Sequence, residues 1–517
     1  MWRVSPVEMT DLLAVTFYTR ALTSPLFTLL ALLLFAVLCR FQTFGNPFIH
    51  VDEEFYLFVG GRMLHGDLPY VQLWDRKPLG LFLLYAFFHL FGTYRIWAYQ
   101  IFALFSVWGT SLLLVRMARS FAPPGGALMS GLLYIACLNL SGGEGGQSPV
   151  FYNLLVTAAM AHTLFGALWP EERPDRLRSV GMVGMALFGL AIQIKYTAVF
   201  EGIFLGCFLL WCDFKARKPV GVIATDALLW VTTALAPTFL AAGFYALIGH
   251  GHEWFFANIQ SIFLRQPRPG NLLVLFLLPL VAKQLPLIIS GMFAFATFPS
   301  ETRRSIQVRF IFLWAAVSLF GVLIFGDWFD HYALPTYAPL AVIAAPLWRW
   351  QAGRITLSLC LLTGFIFGEK LVSSHIRKRG NADTLKTLTH YLSDPPGCIF
   401  IYRGPPTLYD SVSWCALTTH PFPSHFYMNS EKYGTGIDPL AELHRIMSKR
   451  PLYVVSNDTL AEDENMDVRH YLDGVLATQY HLIYQYMRPA DRRIDKEHSA
   501  ITVYKRNSET EAQQLSN

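Results

Sequence analysis

Residues His50–Gly80 read HVDEEFYLFVGGRMLHGDLPYVQLWDRKPLG. Three consecutive carboxylates, Asp52, Glu53 and Glu54, stand directly behind an apolar run near 22–44 that is long enough to cross a bilayer. Further runs of that length recur near 95–115, 124–140, 150–169, 179–194, 197–212, 220–249, 271–298, 306–326, 332–347 and 355–371. The segment Leu79–Gly92, LGLFLLYAFFHLFG, is apolar but too short: at about 1.5 Å per residue it covers only ~21 Å of a ~30 Å hydrocarbon core.

Charge placement tests that exclusion, because each added span flips the side of every later loop. With Leu79–Gly92 left out, Arg116/Arg119, Arg173/Arg176/Arg178, Lys215/Arg217/Lys218, Arg303/Arg304 and Arg349/Arg354 all fall on the side of Arg3 and Arg20. The expected fold is therefore an α-helical polytopic membrane protein of about eleven transmembrane helices, N-terminus inside and C-terminus outside. Leu79–Gly92 is expected as a helix lying at the outer interface.

Composition agrees. The 517 residues are 53% hydrophobic and 15% charged, against about 25% charged in a soluble domain. The net charge of +5 reports the orientation of loops rather than a nucleic-acid face, and no nucleic-acid partner is expected. No small-residue cleavage site follows the first span, and Leu38 before Cys39 makes a poor lipoprotein site, so that span reads as a retained anchor.

Residues 1–374 form the expected membrane domain. Beyond about 375 the pattern becomes that of a soluble domain: helix-like ADTLKTLTHYL and DPLAELHRIMS alternate with strand-like CIFIY, LYVVS, HLIYQY and AITVYK, a small extracytoplasmic α/β layer over 375–517. The tail NSETEAQQLSN is expected to be disordered. Cys398 and Cys415 are the only two of seven cysteines in polar sequence; a disulfide and two separate thiols are both open to them.

The unusual polar residues gather on the outer side. A carboxylate at the mouth of a membrane cavity is able to serve as general base while a second orients the acceptor or holds a cation, roles open to Asp52 and Glu53; the plainer alternative makes Asp52 a helix cap. Asp75, Arg76 and Lys77 in WDRKPLG come next: Lys77 suits a phosphate at headgroup depth, or simply snorkels. Arg95 in GTYRIWAYQIF and Lys195 in GLAIQIKYTAVFEG lie on the outer side against the usual bias, and ionisable residues there are functional candidates. GDWFDHYALPTYAPLAV adds Asp327, Asp330, His331 and Tyr332, and Glu144 is the one charge in SGGEGGQSP. HGHE at 250–253 fits no standard zinc spacing, so a divalent metal ion is left open as a cofactor. Walker A, HExxH and GxSxG motifs are absent, which removes the usual support for nucleotide, zincin and esterase chemistry. Cells keep no nucleotide-activated donors at an outer leaflet, so a donor used there would arrive already activated in the membrane, most simply as a sugar joined through phosphate to a polyprenol.

On DEEFYLFVGGRMLHGDLPYVQLWDRKPLG, TYRIWAYQ, GLAIQIKYTAVFEG and DWFDHYALPTYAPLAV the chain resembles the GT-C class of integral-membrane glycosyltransferases, in particular bacterial relatives of protein O-mannosyltransferases and of the lipid A aminoarabinose transferase. The resemblance implies a polyprenyl-phosphate sugar donor, a hydroxyl acceptor, a bacterial inner-membrane location and an acidic base in the first outer loop, which maps onto Asp52 with Glu53 beside it. It also places Lys77 and Arg95 near the lipid phosphate. Leu79 stands where many relatives have a second proline, and GGEGGQSP departs from their Asn-Thr-Glu-like element. The expectation is an inverting transfer with Asp52 as base, with Lys77, Arg95, Lys195 and His331 on the departing phosphate, and with Asp75, Glu144 and Tyr332 as candidate substrate contacts. A transporter or flippase of lipid-linked sugars is the alternative, needing the same cations and no base; a non-catalytic scaffold would leave Arg95 and Lys195 unexplained.

Overall fold

The structure, a computed structural model, describes residues 24–166, 174–266, 270–324, 328–412, 414–487 and 500–508. Arg3, Arg20, Arg173, Asp327 and the tail from 509 onward lie outside the described residues.

Among the described residues eight helices are long and apolar enough to cross a membrane, and the chain is an integral membrane protein. Two more of the expected spans are the helices Ser148–Gly166 and Pro174–Ile192. The stretch near 332–347 is broken into a 3₁₀ turn at Asp330–Ala333, the short helix Tyr337–Ala344 and a 3₁₀ turn at Ala345–Arg349. Pro335 before the helix and Pro346 after it account for the turns, since each lacks the N–H that a continuous ladder needs, whereas Pro339 sits in the helix's first turn, where that N–H is not required. The short apolar segment is the helix Leu79–His89, about 16 Å long.

The chain divides into two compact units, one made of Met1–Gln42, Ile101–Ala236 and Val274–Val372, the other of Thr43–Gln100, Pro237–Leu273 and Ser373–Asn517. In the first, polar ties cross the apolar interior. Arg40, 2% exposed, donates to the carbonyl oxygens of Gly143 (2.7 Å) and Gly145 and so braces the glycine-rich loop that carries Glu144. Glu369 accepts from Gln42 Nε2 at 2.5 Å and from Asn139 Nδ2 at 3.0 Å. The buried carboxylates Asp213 and Asp226 share Lys218, and Arg178 completes the cluster on Asp226.

The second unit contains a four-stranded sheet of β1 (Ile399–Ile401), β2 (Tyr453–Asn457), β3 (Tyr480–Met487) and β4 (Ala500–Arg506) in the order β1-β2-β4-β3. β1 runs parallel to β2 with Phe400 opposite Val454; the other pairs are antiparallel, with Val455 opposite Val503 and a register irregularity between Leu482 and Tyr484. Helices Ala382–Ser393, Pro439–Ser448 and Met466–Gln479 accompany it. The first starts where the Asn381 side chain accepts from the Asp383 and Thr384 N–H groups, the second where Asp438 does the same for Leu440 and Ala441. Phe400, Phe426, Leu443, Ile446, Val454 and Leu472 form the core.

Cys398 and Cys415 form a disulfide, which resolves the two options left by the sequence. The bridge closes a loop of 17 residues between the start of β1 and the polypeptide packed beneath it. By chain entropy such a loop stabilises by about 3 kcal/mol, so replacing both cysteines with serine, or adding a strong reductant, should lower the melting temperature of the full-length protein measured in detergent. An unchanged melting temperature would show that the bridge constrains nothing.

Candidate active site

The acidic triplet opens the helix Val51–Met63. His50 is its N-cap, with no side-chain capping bond, so Asp52 sits one position inside the helix and does not cap it. Placed in the first turn, all three carboxylates meet the positive end of the helix dipole. Successive residues point about 100° apart, so the three diverge. Asp52 is 15% exposed at its side chain, 3.9 Å from His50 Nδ1. Glu53 is fully buried, and Glu54 accepts the Thr407 N–H at 3.3 Å.

Gly60 and Gly61 let this helix lie close against Leu79–His89. A Cβ on Gly60 would stand 2.5 Å from the Tyr85 and Ala86 backbone, and one on Gly61 would stand 2.5 Å from the His89 ring. That approach places Tyr85 and Phe82 at the edge of the Tyr56 ring, with centroids 5.4 and 6.3 Å away.

The loop between the two helices holds the lysine. Tyr70 adopts φ 71°, a left-handed conformation unusual for a bulky residue, and its hydroxyl donates to the Lys77 carbonyl at 2.8 Å. Asp75, 2% exposed, accepts the Lys77 N–H at 3.1 Å and lies 3.6 Å from Lys77 Nζ. Asp75 thus orients Lys77 through both backbone and side chain. The Lys77 ammonium stands over the Tyr56 ring at 5.5 Å, so Asp52, Tyr56, Asp75 and Lys77 come together.

Arg76 leads elsewhere. It and Arg265 both pair with Glu431, at 2.6 and 2.8 Å. Burial acts to raise the Glu431 pKa, but the two guanidinium groups outweigh it and hold the carboxyl well below its ordinary value. Next to them Trp74 stacks on His420 and meets His425 edge-on, both at 4.9 Å. Burial drives the pKa of His420 down to about 4 and that of His425 well below the usual histidine value, so both rings are neutral at physiological pH and pack as aromatic surface. None of Arg265, His420, His425 and Glu431 stood out in the sequence, where they lie hundreds of residues from the loop they secure.

Arg95 is paired with Asp410 (Nε to Oδ2, 2.7 Å), which also meets His89 Nε2 at 3.1 Å. Its counter-charge is therefore Asp410, not one of the carboxylates of the acidic loop.

In the first unit Lys195, buried, stands 4.6 Å from the Tyr332 ring, and His331 meets that ring edge-on at 4.8 Å and stacks on Phe329. A pocket lined by Tyr152, Lys195, Thr197, Glu201 and Tyr332 lies here. Glu201, unforeseen as a pocket residue, accepts from Trp314 Nε1 at 2.6 Å. Glu144 is buried in its loop. His250 and Glu253 pair with each other at 3.2 Å, and no group of three or more His, Cys, Asp or Glu side chains suited to a metal occurs among the described residues.

No protein-family model matches the sequence, and no curated protein is detectably similar to it in sequence. Solved structures are similar in fold. ArnT from Cupriavidus metallidurans bound to undecaprenyl phosphate superposes with a TM-score of 0.61 over 92% of this chain and 97% of that one, at 14% identity. The chain has the GT-C fold. ArnT from Cupriavidus metallidurans in the apo state gives 0.59 over 90% and 96%, at 13% identity. The GT-C likeness first seen in short motifs therefore extends over nearly the whole length of both chains.

The Arg76–Glu431–Arg265 cluster makes a testable claim about acid stability. A carboxyl held low in the fold contributes stability that is complete above its unfolded value near 4.5 and is lost as pH falls below it. Glu431→Gln should cost about 3 kcal/mol at neutral pH by leaving two half-buried guanidinium groups without their carboxylate, and should flatten the loss of stability below about pH 4. Denaturant melts at pH 7 and pH 3.5 check both; equal slopes in the two proteins would count against the cluster.

Proposed function

We propose that this protein is a membrane glycosyltransferase that moves a sugar, hexosyl or pentosyl, from a polyprenyl-phosphate donor to a hydroxyl on the outer face of a bacterial inner membrane. The observation that carries the reading is that Asp52, one helical turn before Tyr56, and the Asp75–Lys77 element, whose ammonium stands over the Tyr56 ring, share one compact unit. The fold shared with ArnT, which is described bound to undecaprenyl phosphate, supports the donor class.

In this reading Asp52 takes the acceptor proton as the acceptor oxygen attacks the anomeric carbon. The bond from that carbon to the phosphate oxygen breaks on the opposite face, so configuration inverts, and the electron pair leaves with the lipid phosphate. Glu53 supports the acceptor side. Lys77, held by Asp75, neutralises the departing phosphate. Arg95, already compensated by Asp410, adds to the same field at a distance. Residues 1–374 are the membrane catalytic domain and 375–517 an extracytoplasmic domain, with the N-terminus cytoplasmic.

Asp52→Asn keeps the shape and removes the proton acceptor, and should slow transfer about 10²- to 10⁴-fold with the protein still folded. Mass spectrometry of cell-envelope glycans and glycoproteins from cells carrying the wild type or the variant would show the missing sugar, and free polyprenyl phosphate should accumulate only with the wild type. A lipid-linked sugar that changes leaflet with no release of polyprenyl phosphate would favour a flippase and remove Asp52 from the mechanism.

Orientation is tested separately. A cysteine at Asp67 should react with an impermeant thiol reagent in intact cells and one at Lys215 should not; the reverse pattern, or labelling at Asp67 and at residue 433 on opposite sides, would overturn the assigned topology.

A further inference from the structure

Tyr56 lies one helical turn after Asp52, so the two side chains leave the helix on the same face. It is 1% exposed, and its hydroxyl is buried with no hydrogen-bond partner among the described residues. Such a group is costly: a buried hydroxyl without a partner loses its water and gains nothing in return. The surroundings are not apolar. Asp52, Asp75 and Glu53 all act on the phenol electrostatically, and the Lys77 ammonium stands over the ring. Burial first, then those carboxylates, raise its pKa well above the ordinary phenol value, so Tyr56 keeps its proton and presents a donor.

We propose that the Tyr56 hydroxyl is a hydrogen-bond donor to the lipid phosphate, acting beside Lys77 on the oxygen that leaves the sugar. The inference rests on the transfer reading above. Asp52, Asp75 and Glu53 act on the phenol, yet no described residue accepts its proton in a hydrogen bond, so the acceptor comes with the ligand, and the Lys77 ammonium over the ring favours an anionic one. As the bond from the anomeric carbon to the phosphate oxygen breaks, its electron pair stays on that oxygen and the acceptor proton goes to Asp52. Tyr56 transfers no proton; its bond strengthens as charge develops, in the manner of an oxyanion donor.

The test is Tyr56→Phe in the full-length protein in detergent, titrated with undecaprenyl phosphate and, in parallel, with undecaprenol and inorganic phosphate, read by thermal stabilisation. The ligand-free variant should melt at or above the wild-type temperature, since an unpaired buried hydroxyl has gone. Undecaprenyl phosphate should stabilise the wild type more than undecaprenol does, and the variant should need about ten- to a hundred-fold more of it for the same shift, the share of one hydrogen bond to a charged group. Stabilisation by inorganic phosphate alone, with the same dependence on Tyr56, would still place a phosphate at the hydroxyl. An undiminished response in the variant overturns the proposal alone, as does an equal response of the wild type to undecaprenol. A wild type indifferent to undecaprenyl phosphate overturns it together with the donor class on which it depends. If the phenylalanine variant melts early, Tyr56→Met, which also lacks a donor, titrated in the same way must also lose affinity, and retained affinity there overturns the proposal.

Discussion

Removing an ion from water costs several kcal/mol even after the protein relaxes, and a chain with so few charges cannot leave them uncompensated in its interior. The solution recurs throughout this molecule. Each of several buried ions is matched by a group from a distant part of the sequence: Glu431 by Arg76 and Arg265, Asp226 by Arg178, Arg40 by the Gly143 and Gly145 carbonyls, while the half-buried Arg95 is matched by Asp410. Apolar side chains tolerate many packings of similar energy, whereas a buried ion tolerates few. The ion pairs therefore fix which segments meet, and the apolar surface supplies the bulk of the attraction.

The same constraint builds the acidic loop. Arg76 is drawn to Glu431 while its neighbour Lys77 is turned back toward Asp75 and Tyr56. The two ties leave the bend at Arg76–Lys77 in different directions, Arg76 toward Glu431 and Lys77 toward Asp75. Trp74 lies with Arg76, whose guanidinium stands 5.6 Å over its ring, and is held among His420 and His425 and by its backbone N–H to the Thr419 carbonyl. A cation positioned in advance stabilises developing charge without paying for reorganisation during the reaction, which is the condition the proposed chemistry imposes on Lys77.

Much of this was legible in the sequence, and the boundary between what was and was not has a physical origin. Apolar length gave the membrane helices, the compositional change gave the α/β layer, and the shortness of Leu79–Gly92 gave a helix of 11 residues. Side-chain period and capping residues act locally, so the helices opened by Asn381 and Asp438 could be anticipated. The segment near 332–347 is helical as expected but with 3₁₀ turns at both ends, a detail that hydropathy does not register. Asp52 and Lys77 were visible as charges out of place, and Tyr332 and His331 as neighbours of such a charge. Asp410, Glu431 and Arg265 were not, because a partner hundreds of residues away leaves no periodic trace and a charge in polar sequence is unremarked. Tyr56 was hidden differently: in DEEFYLFVGG it reads as one more aromatic in an apolar helix, and only the absence of a partner for its hydroxyl separates it from Phe55 beside it.

The short helix Leu79–His89 brings these strands together. At about 16 Å it is too short to span a bilayer, yet Leu81, Phe82, Tyr85, Ala86 and Phe88 are buried. A segment freed from spanning can spend its apolar face on the protein, and here it is spent on the helix that carries Asp52 and Tyr56, with two glycines removing the side chains that would hold it off. Under the proposed function, transfer of a sugar to an alcohol competes with transfer to water, and the aromatic wall that Phe82 and Tyr85 form against Tyr56, one turn from Asp52, would keep water from the proposed base.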